Sequence, residues 1–249
     1  MNAKTSKVLL ELNRRFYEEY AVEFSATRQQ PWQGWRQLLD RYAGQRDELS
    51  ILDLGCGNGR FAAACDRQLS CKWRYVGLDS SPGLIKEARA RFKRLEVRKA
   101  RASVGDMLAS DQPLPKGPFD LVTLFGIMHH VPGAKAREDL LARAASRVAP
   151  GGLLAVSFWQ LGDSERLMER TVKPAEVGLT PKALKADEYL LRWGDGDGVR
   201  YCHHSGPEEA TRIAATTDLT PIETYRADGK GGGMNLYWLL AAPPKNGGD

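Results

Sequence analysis

Glycine occupies every second position of Gly55-Cys56-Gly57-Asn58-Gly59, directly after the apolar run Ile51-Leu52-Asp53-Leu54. Residues without a side chain permit left-handed backbone angles and the close approach of a ligand. A second apolar run, Tyr75-Val76-Gly77-Leu78, ends in Asp79-Ser80. An acid about 20 residues beyond such a loop is placed to hold the hydroxyls of a nucleotide ribose. The loop is G-x-G-x-G with Asp53 before it, so the pair of signals is more specific than a lone glycine loop. Read without the rest of the chain, the same residues also fit a buried strand and tight turn serving another nucleotide, or none. Gly105-Asp106-Met107 offers a further acid, which also reads as a plain helix cap. Phe119-Asp120 opens an apolar run that leads to Phe125-Gly126-Ile127-Met128-His129-His130-Val131. There Asp120 can be a strand-start residue, and the two histidines either work at a site or are simply packed or solvated.

Strands and helices must deliver these residues to one place. The chain has 249 residues, 42% of them hydrophobic, enough for one domain with a substantial core. Apolar positions at three- and four-residue spacing predict helices over 8–24 and 32–44. Strands and helices then alternate, which predicts an α/β fold with a mostly parallel sheet covered on both faces. The predicted strands are 50–54, 74–78, 97–104, 119–124 and 153–158, followed by closing strands at 222–226 and 236–241. Helices are predicted at 60–68, from Ser81-Pro82-Gly83 onward, at 136–148 and at 207–217. Proline is tolerated in a first helical turn, where its missing N–H is not needed. The division expected is a helical lid (1–46), a cofactor-binding core (47–159), an insertion (160–187), a substrate-side half with the closing strands (188–242) and a tail (243–249). No stretch of about 18 apolar residues predicts a membrane span. The first segment lacks a signal-peptide core. Cys56, Cys65, Cys71 and Cys202 form no C-x-x-C pair and no metal-ligand spacing, so a reduced, cytoplasmic protein without a metal is expected. A net charge of +5 permits a polyanionic partner without requiring one.

At the glycine loop the chain resembles the class I S-adenosylmethionine-dependent methyltransferases, whose first strand and loop read like Leu52-Asp53-Leu54-Gly55-Cys56-Gly57-Asn58-Gly59. The resemblance implies a Rossmann-like sheet of seven strands, mostly parallel, with an antiparallel C-terminal strand. It implies that Asp53, Gly55, Cys56, Gly57, Asn58, Gly59, Asp79, Ser80, Asp106, Met107 and Phe125 hold S-adenosylmethionine. Asp79 would take the ribose, and Asp106 the adenine amino group. Ala149-Pro150-Gly151-Gly152 matches that family's turn before the fifth strand, and His129-His130 falls at the fourth-strand exit, beside the transferable methyl.

The ends of the chain narrow the resemblance. Phe24-Ser25-x-Thr27-Arg28-x-x-Pro31-Trp32, the double histidine, and Arg200-Tyr201-x-His203 are similar to the tRNA wobble-uridine carboxymethyl methyltransferases, including the methyltransferase part of the AlkB-like tRNA enzymes. This implies methyl esterification of the carboxylate on 5-carboxymethyluridine, with tRNA as partner. A small-molecule acceptor remains the alternative, because many class I enzymes with similar cofactor motifs act on metabolites. A carboxylate is ionised at neutral pH, so no general base is demanded; in-line placement and removal of water are. Arginine suits carboxylates through its planar fork. Arg28 is therefore the first candidate to orient the substrate, with Arg192 and Arg200 as alternates and His130, then His129, as catalytic candidates. Trp32, Trp159, Trp193 and Tyr201 are candidates to stack a base, with His203 beside them; for any one aromatic, core packing is the competing reading. Lys86, Arg89, Arg91, Lys93, Arg94, Arg98, Lys99 and Arg101 are interrupted only by Glu87 and Glu96. This run is a solvated face or an RNA contact, and its charges protect a predicted edge strand. Eukaryotic relatives bind a small activator protein along that side, largely through apolar contacts. The basic edge argues against that partner here.

Overall fold

The computed structural model describes residues 1–41, 46–109, 111–194 and 196–245. Its strands are β1 (Glu48–Leu54), β2 (Lys72–Asp79), β3 (Ala100–Val104), β4 (Phe119–Leu124), β5 (Val148–Trp159), β6 (Glu188–Arg192), β7 (Val199–His203), β8 (Thr220–Ala227) and β9 (Asn235–Ala241). Seven of them form one sheet in the order β3-β2-β1-β4-β5-β9-β8, with only β9 antiparallel to its neighbours. The order reverses between β1 and β4, and in open α/β sheets the crevice at such a switch point takes the ligand. β3 is an edge strand, as predicted, although of the charges expected to protect it only Arg101 lies within it.

The central strands are apolar on both faces because helices cover both. On one face Ile51, Tyr75, Leu121 and Leu239 pack against α3 (Gln33–Asp40), α4 (Arg60–Gln68) and α5 (Pro82–Arg94) through Leu39, Phe61, Ile85 and Phe92. On the other, Leu52, Val122, Leu154 and Leu240 meet α6 (Ala134–Ala145) and α8 (Pro207–Ala214) through Leu140, Leu141, Ala210 and Ile213. The remaining α-helices are α1 (Ala3–Glu19), α2 (Ala21–Thr27) and the single turn α7 (Glu165–Met168). Among the described residues no helix is long and apolar enough to cross a membrane.

Several boundaries differ from the sequence reading. The helix predicted over 8–24 is two helices, broken at Tyr20 (φ −105°, ψ 18°). There Phe16, Tyr20 and Phe24 close around Trp193. α3 is shorter than the predicted 32–44, whose residues 42–44 lie outside the described ones. β3 starts at Ala100 rather than Val97, because Val97 N–H still closes the end of α5 on Phe92 O (2.8 Å) after a left-handed Glu96 (φ 54°). The predicted turn at 150–152 lies inside β5, where Gly151 (φ 70°) accompanies a register shift against β4. The antiparallel pair β6–β7 was not foreseen. Leu190 and Tyr201 from this pair pack on Leu9, which lays α1 across the open end of the sheet.

Candidate active site

The chain leaves β1 through left-handed glycines at 55 (φ +80°), 57 (φ +52°) and 59 (φ +71°). A Cβ on Gly55 would lie 2.2 Å from Ile127, and one on Gly59 2.6 Å from Phe92. The first glycine therefore makes room for the β4 exit, and the third lets α4 pack on α5. The amides of Gly55 and Cys56 donate to Leu78 O (2.7 and 3.1 Å), which joins the loop to the end of β2. There the Asp79 carboxylate accepts from Gly57 N–H (2.9 Å, Oδ2) and Ser81 N–H (2.9 Å, Oδ1). Burial raises its pKa, opposed by these two backbone bonds. Each oxygen keeps acceptor capacity for a ligand hydroxyl. Asp53 works inside the sheet, accepting from Tyr75 OH (2.5 Å) and Thr123 Oγ1 (2.6 Å), with burial pushing its pKa up to about 6. Asp106 is exposed at the end of β3 and caps Leu108 N–H (2.8 Å). Met107 and Phe125 are buried walls, and Ser80 is exposed at the rim.

Asn58 faces the other way. Its amide donates to Ser25 Oγ (3.0 Å) and Arg28 O (3.1 Å), fastening the α2 segment to the glycine loop. Arg91 braces the same junction through Asn58 O (2.9 Å) and Gln29 Oε1 (3.1 Å). The result is a cavity of about 910 Å³ between the glycine loop, the β4 exit, α1 and α2.

Across from the loop, a single 3-10 turn (Met128–His130) presents both histidines to the cavity. His130 Nδ1 lies 2.9 Å from Tyr201 O, an acceptor, so the network assigns the proton to Nδ1. Nε2 then accepts from Tyr17 OH at 2.7 Å. Asn13 completes the link from α1 to β7, accepting from Tyr201 N–H (2.7 Å) and donating to Tyr201 O (3.2 Å). Burial, and then the charge of Arg200, pushes the His130 pKa down to about 3. The His129 ring packs, tilted, against His130 (4.0 Å between centroids) and Trp159 (4.8 Å), and burial drives its pKa well below the ordinary value. Both imidazoles are neutral at pH 7. Donor atoms of His129, His130 and Cys202 lie within 4.8 Å of one another. Both His130 nitrogens are engaged, however, and burial raises the Cys202 thiol to about 12, so this donor set does not suit a cation.

Of the arginines that line the cavity, Arg14 and Arg15 pair with Glu11 on α1, whereas Arg28, Arg60 and Arg200 make no ion pair among the described residues. Arg200 is 7% exposed, lies between the rings of Phe16 (5.4 Å) and Trp159 (5.3 Å), and has an Nε without a hydrogen-bond partner. Arg28 covers Phe24 (4.4 Å) and donates to Thr27 Oγ1 (2.6 Å). Arg60 covers Trp32 (4.7 Å) and Trp35 (5.0 Å) and donates to Gln30 O (3.1 Å). Burial and then the charge of Arg200 lower the pKa of Arg28; burial and then Arg28 lower that of Arg60 to about 10. Such cations suit an anionic ligand.

Five residues of the sequence reading do not line this cavity: Gly59, Arg192, Trp193, Tyr201 and His203. Arg192 pairs with Glu176 (2.9 Å) and Asp197 (3.4 Å). Trp193 packs behind the lid on Phe16 and Tyr20. The Tyr201 ring is fully buried, its hydroxyl donating to Glu188 (3.2 Å). His203 meets Glu209 (2.5 Å), which also holds Arg137 (2.5 Å). Trp32 and Trp159 do line the cavity, whereas Gly59 faces Phe92 and Ala88 of α5. Arg60, Tyr17 and Asn13 were missed. Arg60 had a signal, since the first residue of the helix after a glycine loop faces the loop's ligand; the other two carried none in sequence.

A methyltransferase-domain family model matches residues 51–152. A protein of Encephalitozoon cuniculi, named as a candidate methyltransferase, is 32% identical over 212 residues, covering 84% of this chain and 87% of that one. The tRNA (carboxymethyluridine(34)-5-O)-methyltransferase ALKBH8 of Mus musculus is 27% identical over 234 residues. That alignment covers 90% of this chain and 32% of the mouse protein, so the chain spans about a third of it. Among solved structures, the methyltransferase in the complex with the Haloferax volcanii Trm112 methyltransferase activator superimposes with a TM-score of 0.64 at 16% identity, over 94% of this chain and 99% of that one. With the glycine loop, the acid at the end of β2 and the seven-stranded sheet in place, the chain belongs to the S-adenosylmethionine-dependent methyltransferases.

Proposed function

We propose that the acceptor is a carboxylate, that of 5-carboxymethyluridine at the tRNA wobble position, and that the product is its methyl ester. The observation that carries this is the pairing of arginines lacking carboxylate partners with two neutral, buried histidines on one cavity wall. A hydroxyl or amine acceptor needs a base near its proton. Here the His130 Nε2 lone pair is already taken by Tyr17 OH. A carboxylate needs positive charge instead.

The cofactor site fits S-adenosylmethionine, which supplies an electrophilic methyl group on a sulfonium. Asp79 has acceptor capacity left for the ribose hydroxyls, Asp106 stands where the adenine amino group would lie, and Met107 and Phe125 flank the space between. Gly57 has nothing within 4 Å of where its Cβ would be, which leaves the loop open to a ligand. Arg200 and Arg28 orient the acceptor carboxylate, and Trp159 and Trp32 offer faces for the uracil ring. In transfer, a carboxylate oxygen bonds to the methyl carbon as the carbon–sulfur bond breaks; no proton moves. The lid of α1 and α2 excludes water, which strengthens each charge interaction inside. In this reading residues 1–46 act as the lid, 47–159 as the cofactor core and 188–242 as the substrate side, and the enzyme works on tRNA in the cytoplasm. The β3 edge itself carries one charge, Arg101, and exposes Val104, so an apolar activator contact along it is compatible with this reading.

The test is mass spectrometry of nucleosides from tRNA incubated with this protein and S-adenosylmethionine, using tRNA from cells lacking their own wobble methyl-ester enzyme. Gain of methoxycarbonylmethyluridine at the expense of carboxymethyluridine is the expected result. No change, with cofactor binding intact, would turn the reading toward a metabolite carboxylate or a missing partner.

A further inference from the structure

We propose that the exposed strip formed by α5 and β3 is a track for the phosphates of the RNA substrate, outside the cavity; this rests on the tRNA reading above. Residues 86–101 hold eight lysines and arginines against two acids, a net of +6 where the whole chain carries +5. The positive excess of the protein is therefore concentrated on this strip. Arg91 is the one member turned inward, to Asn58 and Gln29. The other seven, Lys86, Arg89, Lys93, Arg94, Arg98, Lys99 and Arg101, are exposed, and none makes an ion pair among the described residues. Elsewhere on the surface exposed arginines do find acids, as Arg14 finds Glu11 and Glu18. A charge run that only solvates a helix would be expected to carry such i,i+4 partners.

Both elements of the strip end at the cavity. α5 starts just after Asp79 and Ser80, and β3 runs into Gly105-Asp106; Asp79, Ser80 and Asp106 all line it. Arg89 Nε donates to Ala102 O (3.0 Å), which ties helix and strand into one surface. Thirteen residues of α5 span about 20 Å, so Lys93, Arg94 and Arg98 lie too far from the cavity to touch the methylated base. They lie where the stem leading to an unpaired loop base would pass. Edge protection alone accounts for charges on β3, but not for Lys86, Arg89, Lys93 and Arg94, which are on the helix.

The test compares the wild type with a K93Q/R94Q/R98Q triple variant. Binding of a fluorescent anticodon stem-loop is followed by anisotropy between 50 and 200 mM salt, and tRNA methylation by kcat and KM. Each phosphate contact contributes roughly 0.7–0.9 to the slope of log affinity against log salt. The variant should therefore show a slope smaller by about 2 to 3 and an affinity lower by about 10- to 100-fold at low salt. KM for tRNA should rise by a similar factor, with kcat at saturation, cofactor affinity and circular dichroism unchanged. A variant with wild-type slope and KM overturns the track and leaves the tRNA reading standing. A wild type that binds no RNA yet methylates a small carboxylate overturns both.

Discussion

Replacing Arg200 by methionine separates a substrate clamp from a structural cation. In the folded enzyme without substrate, Arg200 is 7% exposed, touches two rings and lacks a carboxylate partner. Removing it gives up two cation–π contacts, about 1 kcal/mol each. It also releases a buried charge whose desolvation costs several kcal/mol, and relieves repulsion with Arg28. The variant should be no less stable than the wild type, and each net kcal/mol gained should raise Tm by about 2–4 °C for a chain of this size. The substrate complex behaves oppositely. Truncating one side of a buried, hydrogen-bonded charge pair costs about 2–5 kcal/mol, or roughly 30- to 3,000-fold in kcat/KM. The assay is methyl transfer to tRNA beside calorimetric cofactor titration, where Kd should stay within about twofold of the wild type because the loss falls on the acceptor. The reasoning is refuted if Tm falls by several degrees, or if kcat/KM drops less than about fivefold. The first outcome would make Arg200 a structural cation; the second would mean that another group neutralises the acceptor.

Further expectations follow from the same geometry. Arg28→Met should leave cofactor binding intact while abolishing transfer; equal loss of both, read by titration, would assign Arg28 to the cofactor. The pH profile of kcat/KM should be flat between about pH 6 and 9, because no residue must lose a proton for a carboxylate to react; an ascending limb near neutrality would restore a general base. Acid stability should fail early. The pKa of His130 is near 3 in the folded state and ordinary in the unfolded one, so the unfolded chain binds more protons between about pH 6.5 and 3. Stability there falls with decreasing pH by up to about 1.4 kcal/mol per unit for each such histidine. Glu209 adds to this below about pH 4.5; burial opposes, but the bonds from His203 and Arg137 hold it near 2. His130→Asn should flatten the upper part of that decline in chemical denaturation. Gly55→Ala should abolish cofactor binding, and adding Ile127→Ala should restore it only in part, since the left-handed backbone cost of about 1–2 kcal/mol remains after the 2.2 Å clash is removed.

Local chemistry explains what the sequence disclosed. The glycine loop, the acid ending β2 and the charged edge strand are set by neighbours in sequence, and each lies where its motif implies. What stayed hidden depends on side-chain direction across long separations. Tyr201 and Arg200 are adjacent on β7, so the alternation of a strand sends Arg200 to the cavity and the Tyr201 ring away from it. Without seeing that β6 and β7 pair, the Arg-Tyr-x-His motif cannot be sorted into one residue that lines the cavity and two that do not. Asn58 belongs to the glycine loop in sequence, yet its amide reaches Ser25, 33 residues earlier. The histidine pair stayed open, because a group at work in a site and a buried hydrogen-bond relay look identical until the partners of both ring nitrogens are known.

Those partners give His130 a purpose that fits a site needing no base, as proposed above. A charged imidazole beside Arg200 would add a second unpaired buried cation; a neutral one can satisfy Tyr201 O and Tyr17 OH at once. It thereby latches α1 at the acceptor end of the cavity, while Asn58 latches α2 at the cofactor end. If α1 and α2 open as one lid, each latch opposes the same opening. Tyr17→Phe and Asn58→Ala should then each raise the exchange rate of amides in both helices, at a cost of about 1–3 kcal/mol apiece. Their effects should add within about 0.3–0.5 kcal/mol in the double variant, since the latches share no partner. Faster exchange confined to α1 in the first variant and to α2 in the second would instead mean that the two helices open separately. Acceptor capture and cofactor retention would then be energetically independent.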